Sequence, residues 1–496
     1  LSNPSFDIKN PSVTLYAFHL CQDLTREPGQ LRTDAGDLWQ RIADLNQPLR
    51  TPELHTLPAQ LDRTRMQHLP RGRFVNLLSS AVALRFPTAD LVSGVTAEVT
   101  VYPVQLHDTY ALDLTLSCQD ATLTTHHWHQ FNPHGCLLPD QIRASLGQTI
   151  LLYAEPLNPP EQDRDVANAC VHSFLAESQL EATPSRRPVL VTQSLVFGSP
   201  LFEYDTGQDK PIERCHILVW LNRHPQTVKL ASRTSLPWLN LLCCRSKICF
   251  AYAEADWCYY QTRTLYVDLE TQAQALQHLS TQSEEGLRQL KQQLSQLPTQ
   301  TFEYARYLRN IRDYQTAIAT NVKNYRYWWE TIAQASLDGD QLTVGDTFLH
   351  STCPHYQEQL QTDLSYLAAG HELFAQMLIA IQSIVEVEQA ETDRTLQLWL
   401  AFIGISLAVS GVSSQAKPQL GSELINYLHP TTPPLCQEKV NFPPWVLCTT
   451  ADISSHILLG LIVGLISAKP LLQFTIPLIQ TIARLLPPIF HFGPDR

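Results

Sequence analysis

The sequence predicts an α+β (or α/β) soluble N-terminal domain followed by long antiparallel helices, the last of which runs as a stalk into a two-helix transmembrane region. Three observations carry that expectation. Segments rich in Val, Leu and Tyr recur between residues 13 and 221 with partial alternation, as half-buried strands do. From about residue 235 the apolar spacing changes to 3, 4 and 7, the period of amphipathic helices. Residues 396–414 then carry no charged side chain, and at ~1.5 Å per residue they span ~28 Å, about the hydrocarbon thickness of a bilayer.

Taken in order, strands are expected over Val13–Phe18, Val95–Val104, Tyr110–Ser117, Thr149–Ala154, Pro188–Phe197 and Cys215–Leu221. Helices are expected over Asp34–Asn46 and Asp165–Glu177, where Asp residues stand at N-terminal positions. Segments 155–164 and 179–188 carry Pro and polar residues and read as loops. Three long helical stretches follow, 235–297, 302–336 and 356–414. In the second, Leu308, Ile311, Ile318, Val322, Tyr325 and Trp329 form a packing stripe. The linker from Asp338 to Asp346 lacks the spacing and closing Glu of a calcium loop and reads as a turn. The parts are thus 1–233, an α/β sensor-like domain; 234–395, a long-helix bundle and stalk; 396–414, a first transmembrane helix; 415–452, a Pro-rich outer loop; 453–470, a second transmembrane helix; and 471–496, an amphipathic or kinked tail.

Composition narrows the function. A chain of 496 residues accommodates two or three domains. Its formal charge of -12 disfavours nonspecific nucleic-acid binding, which needs clustered Lys and Arg, and suits a surface that attracts cations. The first twenty residues lack the basic start and apolar core of a secretory signal, so the N-terminal domain is expected in the cytoplasm. Ten of the twelve cysteines precede residue 354 without zinc-ribbon spacing, which reads as buried, reduced thiols. Cys436 and Cys448 lie between the two apolar segments, where pairing would require an oxidising space. No P-loop, nucleotide-binding glycine pattern, HExxH or GxSxG occurs, and no nucleophile–base arrangement stands out, so an enzyme is not expected. One cluster, His126, His127, His129, His134 and Cys136, could hold a transition metal through His127, His129 and His134 if 127 and 129 share a strand face; a solvent-exposed hairpin or loop is the plainer alternative.

The apolar run has two distinct sides. Advancing 100° per residue, the stripe of Phe374, Leu378, Ile381 and Val385 continues through Glu388, Thr392, Trp399 and Ile403 to Ser406, Ser410 and Ser413. Gly404, Ala408 and Gly411 fall on the opposite side. If several copies surround an axis, the serines line a polar path, Trp399 and Ile403 constrict it, and Glu388 with Thr392 draws cations to its mouth. Alternatively the serines are packing residues bonded to the backbone one turn back. Gly460 and Gly464 in the second segment have the GxxxG spacing of close helix contact.

This order of parts resembles the CorA family of divalent-cation transporters. The resemblance covers about residues 90–470, with most weight on 235–468. It implies a cytoplasmic α/β domain, a stalk helix entering the membrane, five subunits around one pore in the inner membrane, and a divalent cation as ligand or cargo. The family's Gly-Met-Asn motif is absent: Ser410-Gly411-Val412-Ser413-Ser414-Gln415 stands there, and the chain's Met residues are Met66 and Met377. The expected function is therefore an oligomeric membrane cation channel or transporter gated by its soluble domain, through an ion or a small molecule such as a nucleotide. Two alternatives are a membrane-permeabilising defence effector triggered by a small ligand, and a non-conducting membrane-anchored binding protein.

Overall fold

The computed structural model describes residues 4–22, 30–62, 65–66, 74–79, 81–92, 95–178, 180, 186–278 and 284–388. The chain is a mixed α+β protein with a large sheet and long helices. It divides into two compact units. One comprises residues up to Gln261 together with Tyr307–Ser365, the other Thr262–Arg306 together with the residues from Tyr366 onward.

The first unit is built on a ten-stranded sheet: β1 (Asp7–Leu20), β2 (Phe74–Asn76), β3 (Leu84–Val92), β4 (Val95–Leu106), β5 (Thr109–Ser117), β6 (Thr122–Thr124), β7 (Gly147–Pro156), β8 (Val189–Val196), β9 (Ser199–Asp205) and β10 (His216–Leu221). The order is β2-β4-β5-β1-β7-β10-β9-β8, with β3 also on β4 and β6 also on β1. Every pairing is antiparallel except β7 with β10. That settles the α+β reading over the α/β one, because a doubly wound fold would need parallel neighbours joined by helices.

Alternation along the strands gives the sheet two unlike faces. One is apolar: Val13 and Leu15 of β1, Leu112 and Leu114 of β5, and Ile150 and Leu152 of β7 belong to one buried cluster. Helix α1 (Asp37–Asp44) adds Leu38 and Ile42 to it, and helix α2 (Asp163–Leu175) adds Val166, Cys170 and Phe174. Each such side chain contributes about 1.5–3 kcal/mol of transfer free energy. The other face carries Ser12, Thr14 and Tyr16 from β1 and Asp113, Thr115 and Ser117 from β5, and the site described below lies there.

Three long helices were expected, and the described residues hold three: α4 (Ser235–His278), α5 (Glu284–Ala333) and α6 (Cys353–Glu388), preceded by the short α3 (Thr227–Arg233). The break expected near Pro298 is not there, because Pro298 lies inside α5. All six stripe residues of α5, from Leu308 to Trp329, are buried. Residues 338–342 of the linker keep to the expected turn, whereas Thr343–Thr347 form a short helix instead. The Asp340 carboxylate accepts the backbone N–H groups of Phe197 (2.8 Å), Gly198 (2.7 Å) and Leu337 (2.8 Å). Phe197 and Gly198 both take positive φ in the β8–β9 hairpin, and a Cβ at Gly198 would meet His224.

In the second unit, the Tyr304 hydroxyl of α5 donates to the Leu367 carbonyl of α6 at 2.6 Å, and its ring packs 5.0 Å from that of Phe374. Gly370 leaves room there: a Cβ would strike Tyr304 and Tyr266. Among the described residues no helix is long and apolar enough to cross a membrane. The apolar segments 396–414 and 453–470 lie outside the described residues.

Candidate functional site

Strand register sets one row of side chains across the second face. Tyr102 on β4 opposes Asp113 on β5, Asp113 opposes Tyr16 on β1, and Tyr16 opposes Thr149 on β7. The Thr149 hydroxyl lies 2.8 Å from Nδ1 of His216 on β10, and His216 opposes Asp205 on β9. The next row runs Thr100, Thr115, Thr14, Leu151, Leu218 and Glu203, with the Thr14 and Thr115 hydroxyls 2.8 Å apart.

The β9–β10 end of these rows is a closed ionic network. Arg245 of α4 donates Nη2–H to Glu203 Oε1 at 3.1 Å and to Asp205 Oδ2 at 2.9 Å, and its guanidinium lies 5.1 Å from the Phe348 ring centroid. Arg214 donates Nε–H to Asp205 Oδ1 at 2.8 Å. His216 Nε2 lies 3.0 Å from Glu203 Oε1. All five residues are buried or nearly so. Burial works to raise the Asp205 carboxyl, but Arg245 and Arg214 hold it well below the usual carboxylate range. Burial likewise opposes Glu203, and its bond to His216 and the charge of Arg245 pull it down. His216 is lowered by burial and then by Arg245, so its neutral ring donates Nε2–H to Glu203 and accepts from Thr149.

Glu203, Asp205 and His216 offer ligand atoms within 4.8 Å of one another, the one such set among the described residues. The donor chemistry does not suit a metal ion, because both carboxylates are already neutralised by guanidinium groups that a cation would have to displace. The arrangement is an ion-pair lock between β9, the strand-leading loop and α4.

Beside this lock lies a cavity of about 590 Å³, a size typical of small-molecule sites. Its β1–β5 end carries Asn10, Ser12, Thr115, Ser117 and Gln119, and its β9–β10 end carries Leu201, Leu218 and Trp220. Tyr16, Leu151 and Tyr153 lie between these ends, and α3 and α4 contribute Ala231, Ser232, Trp238 and Leu242 among others. The Trp220 and Trp238 rings lie 5.8 Å apart, and Phe197 and Trp329 extend the aromatic chain at 5.7 and 6.1 Å. Both cavity indoles are over nine-tenths buried, yet neither Nε1–H has a hydrogen-bond partner. Among the described residues, Glu155 is the one carboxylate in the lining, and no Lys, Arg or His contributes. Glu155 Oε1 accepts from Tyr153 Oη at 3.4 Å and Asn222 Nδ2 at 3.3 Å.

The histidine cluster takes a different form from the expected strand. Residues Thr125–Phe131 are a 3-10 helix, and His127 caps it by bonding Thr124 through Nδ1. His129 Nδ1 contacts the His126 carbonyl at 2.7 Å, whereas His134 is highly exposed and lies 3.8 Å from Glu177. His127, His129 and His134 are therefore not among the residues the fold gathers into a ligand set. The physical reason is local: Thr124 supplies an N-cap, and capping turns the segment into a helical turn in which 127 and 129 no longer share a face. The ten cysteines among the described residues are all free and buried, as expected. Glu388 ends α6. The other membrane-segment residues, Thr392, Trp399, Ile403, Gly404, Ser406, Ala408, Ser410, Gly411, Ser413, Gly460 and Gly464, lie outside the described residues, as do Cys436 and Cys448.

Sequence reasoning passed over Glu203, Asp205, Arg214 and Arg245. One signal was available. Arg245 and Lys247 interrupt the run Leu241-Leu242-Cys243-Cys244 and Ile248-Cys249, and a charge inside an apolar helical stretch calls for a buried partner. Arg245 finds Glu203 and Asp205; Lys247 finds Asp108. No family model matches the chain, and no curated protein or solved structure matches it.

Proposed function

We propose that the chain is a ligand-responsive membrane protein of the channel type, with its α+β unit in the cytoplasm. In this reading several copies, five by analogy with the CorA family, surround one cation path. A small molecule in the sheet-face cavity shifts α4 between two packings and thereby biases conduction. The observation that carries the reading is the shared use of α4: Trp238 and Leu242 line the cavity, and one turn on, Arg245 forms the lock with Glu203 and Asp205. A ligand that moves the start of α4 must work against that lock. The charge-free segment 396–414, some residues beyond α6, supplies the length for a membrane span.

The test begins with the mass of the complex in mild detergent. A pentamer that conducts cations in liposomes supports the proposal, and Ser406→Leu is then expected to abolish flux while leaving the mass unchanged. Unimpaired flux in that variant removes Ser406 from the path. A monomer or dimer would instead make the chain a membrane-anchored binding protein.

A further inference from the structure

We infer that the cavity takes an uncharged amphiphile: a molecule with a ring-bearing apolar body and a hydroxyl- or carbonyl-bearing polar end. This rests on the reading of the cavity as the ligand site and names the chemistry it selects.

Strand order gives the cavity its polarity. On the β5 and β1 side the lining is hydroxyl and amide, through Ser12, Ser117 and Gln119. On the β10 and β9 side it is apolar, through Leu201, Leu218 and Trp220, with Trp238 and Leu242 opposite. A ligand that is apolar throughout would leave the hydroxyl side without partners, and one that is polar throughout would be desolvated against leucine and indole. The Trp220 and Trp238 side chains are over nine-tenths buried and give that side two aromatic rings in the lining. Aromatic rings in the wall favour a ligand whose apolar body is itself a ring.

Charge selection follows from what the lining lacks. A phosphate, sulfonate or carboxylate would find no cationic partner there and would share the space with Glu155. That excludes the nucleotide class, whose phosphates require Arg, Lys or a run of backbone N–H groups. A cationic ligand would be drawn to Glu155, but that carboxylate's Oε1 already accepts from Tyr153 and Asn222, and the cation would be desolvated against Leu201, Leu218 and Leu242. The geometry therefore favours the uncharged class over both.

The experiment uses the full chain purified in detergent micelles and three ring-bearing probes read by quenching of tryptophan fluorescence. They are Prodan (an uncharged naphthyl ketone), 1-anilinonaphthalene-8-sulfonate as the anion, and 1-methylquinolinium as the cation. The expected result is saturable binding of Prodan, at least tenfold tighter than of either charged probe. Ala231→Trp, which fills the cavity from its rim, should abolish that binding, and Trp220→Ala, which removes an aromatic wall, should weaken it severalfold. Equal or tighter binding of either charged probe overturns the assignment, as does Prodan binding that survives Ala231→Trp. Binding of no probe removes the cavity from the argument. None of these outcomes depends on ion flux, so a chain that binds but does not conduct refutes the channel reading and leaves the ligand class standing.

Discussion

Asp113 and Asp205 occupy the same transverse row of one sheet, four strands apart, and their carboxyls behave in opposite ways. Asp205 accepts from Arg214 and Arg245 and is held far below the usual carboxylate range. Asp113 stands between Tyr16 and Tyr102, with the Thr115 hydroxyl at 3.1 Å and no ion pair among the described residues. Burial raises it to about 6. Desolvation acts on both; the difference is the presence of guanidinium groups. One end of the row is thus a settled ion-pair lock, and the middle holds a carboxyl that costs stability once it ionises.

The strongest way to break this comparison is to remove the cation from the paired end. Arg245→Met should cost about 3–5 kcal/mol, because it leaves Glu203 and Asp205 buried with one guanidinium fewer. Urea unfolding followed by tryptophan fluorescence measures it, and a loss below about 1 kcal/mol would mean that the lock does not hold α4 to β9.

At the other end the sign reverses. In the folded chain Asp113 releases its proton near pH 6, and in the unfolded chain near ~4. Between those values the folded state binds more protons, so stability falls as pH rises through the window, and the deficit persists above it. Asp113→Asn should therefore stabilise the protein by about 2–3 kcal/mol at pH 7.5 and by nothing below pH ~4. Thermal melts across that range test it, and a destabilised variant at pH 7.5 would show that the carboxylate has a partner the comparison omits.

Smaller changes sharpen the picture between the two ends. Thr149→Val removes the hydroxyl that serves His216 Nδ1, at an expected cost of about 1–2 kcal/mol, and Thr149→Ser should restore most of it. Tyr102→Phe keeps the ring contact with Phe74 and should change stability by less than about 0.5 kcal/mol. If burial is what raises Asp113, its carboxyl should still titrate near 6 in that variant, as followed by carboxyl-carbon NMR.

Much of the fold could be read from alternation and spacing. The centres of β1, β4, β5, β7, β8 and β10 fall where strands are expected, and α2 spans Asp163–Leu175 against an expected Asp165–Glu177. β9 escaped notice because Ser199-Pro200-Leu201-Phe202-Glu203-Tyr204-Asp205 carries a Pro and two acids, and nothing local says that every one of its residues is buried. Glu203 and Asp205 are tolerable inside because Arg214 and His216 pair with them and Arg245 arrives from 40 residues downstream of Asp205. The site was illegible for the same reason: its row is assembled from β4, β5, β1, β7, β10 and β9, and beyond the neighbours Tyr102 with Asp113 and Asp205 with His216 its members are distant in the sequence. The histidine cluster, conversely, looked like a site because its residues are adjacent in sequence, whereas the fold spends them on capping a turn.

The placement of β1 has a consequence for how the molecule assembles. It lies at the middle of the sheet, between β5 and β7, although it precedes both in the chain. Its partners follow only after roughly a hundred residues of chain, so both of its edges remain open through much of synthesis, and such non-local pairing makes folding slow. A strand of Val, Leu, Ala and Phe with two free edges is a template for association with other chains. Biogenesis of this protein should accordingly depend on a chaperone that shields residues 7–20 until β7 emerges, and its yield should fall steeply when translation outpaces that protection.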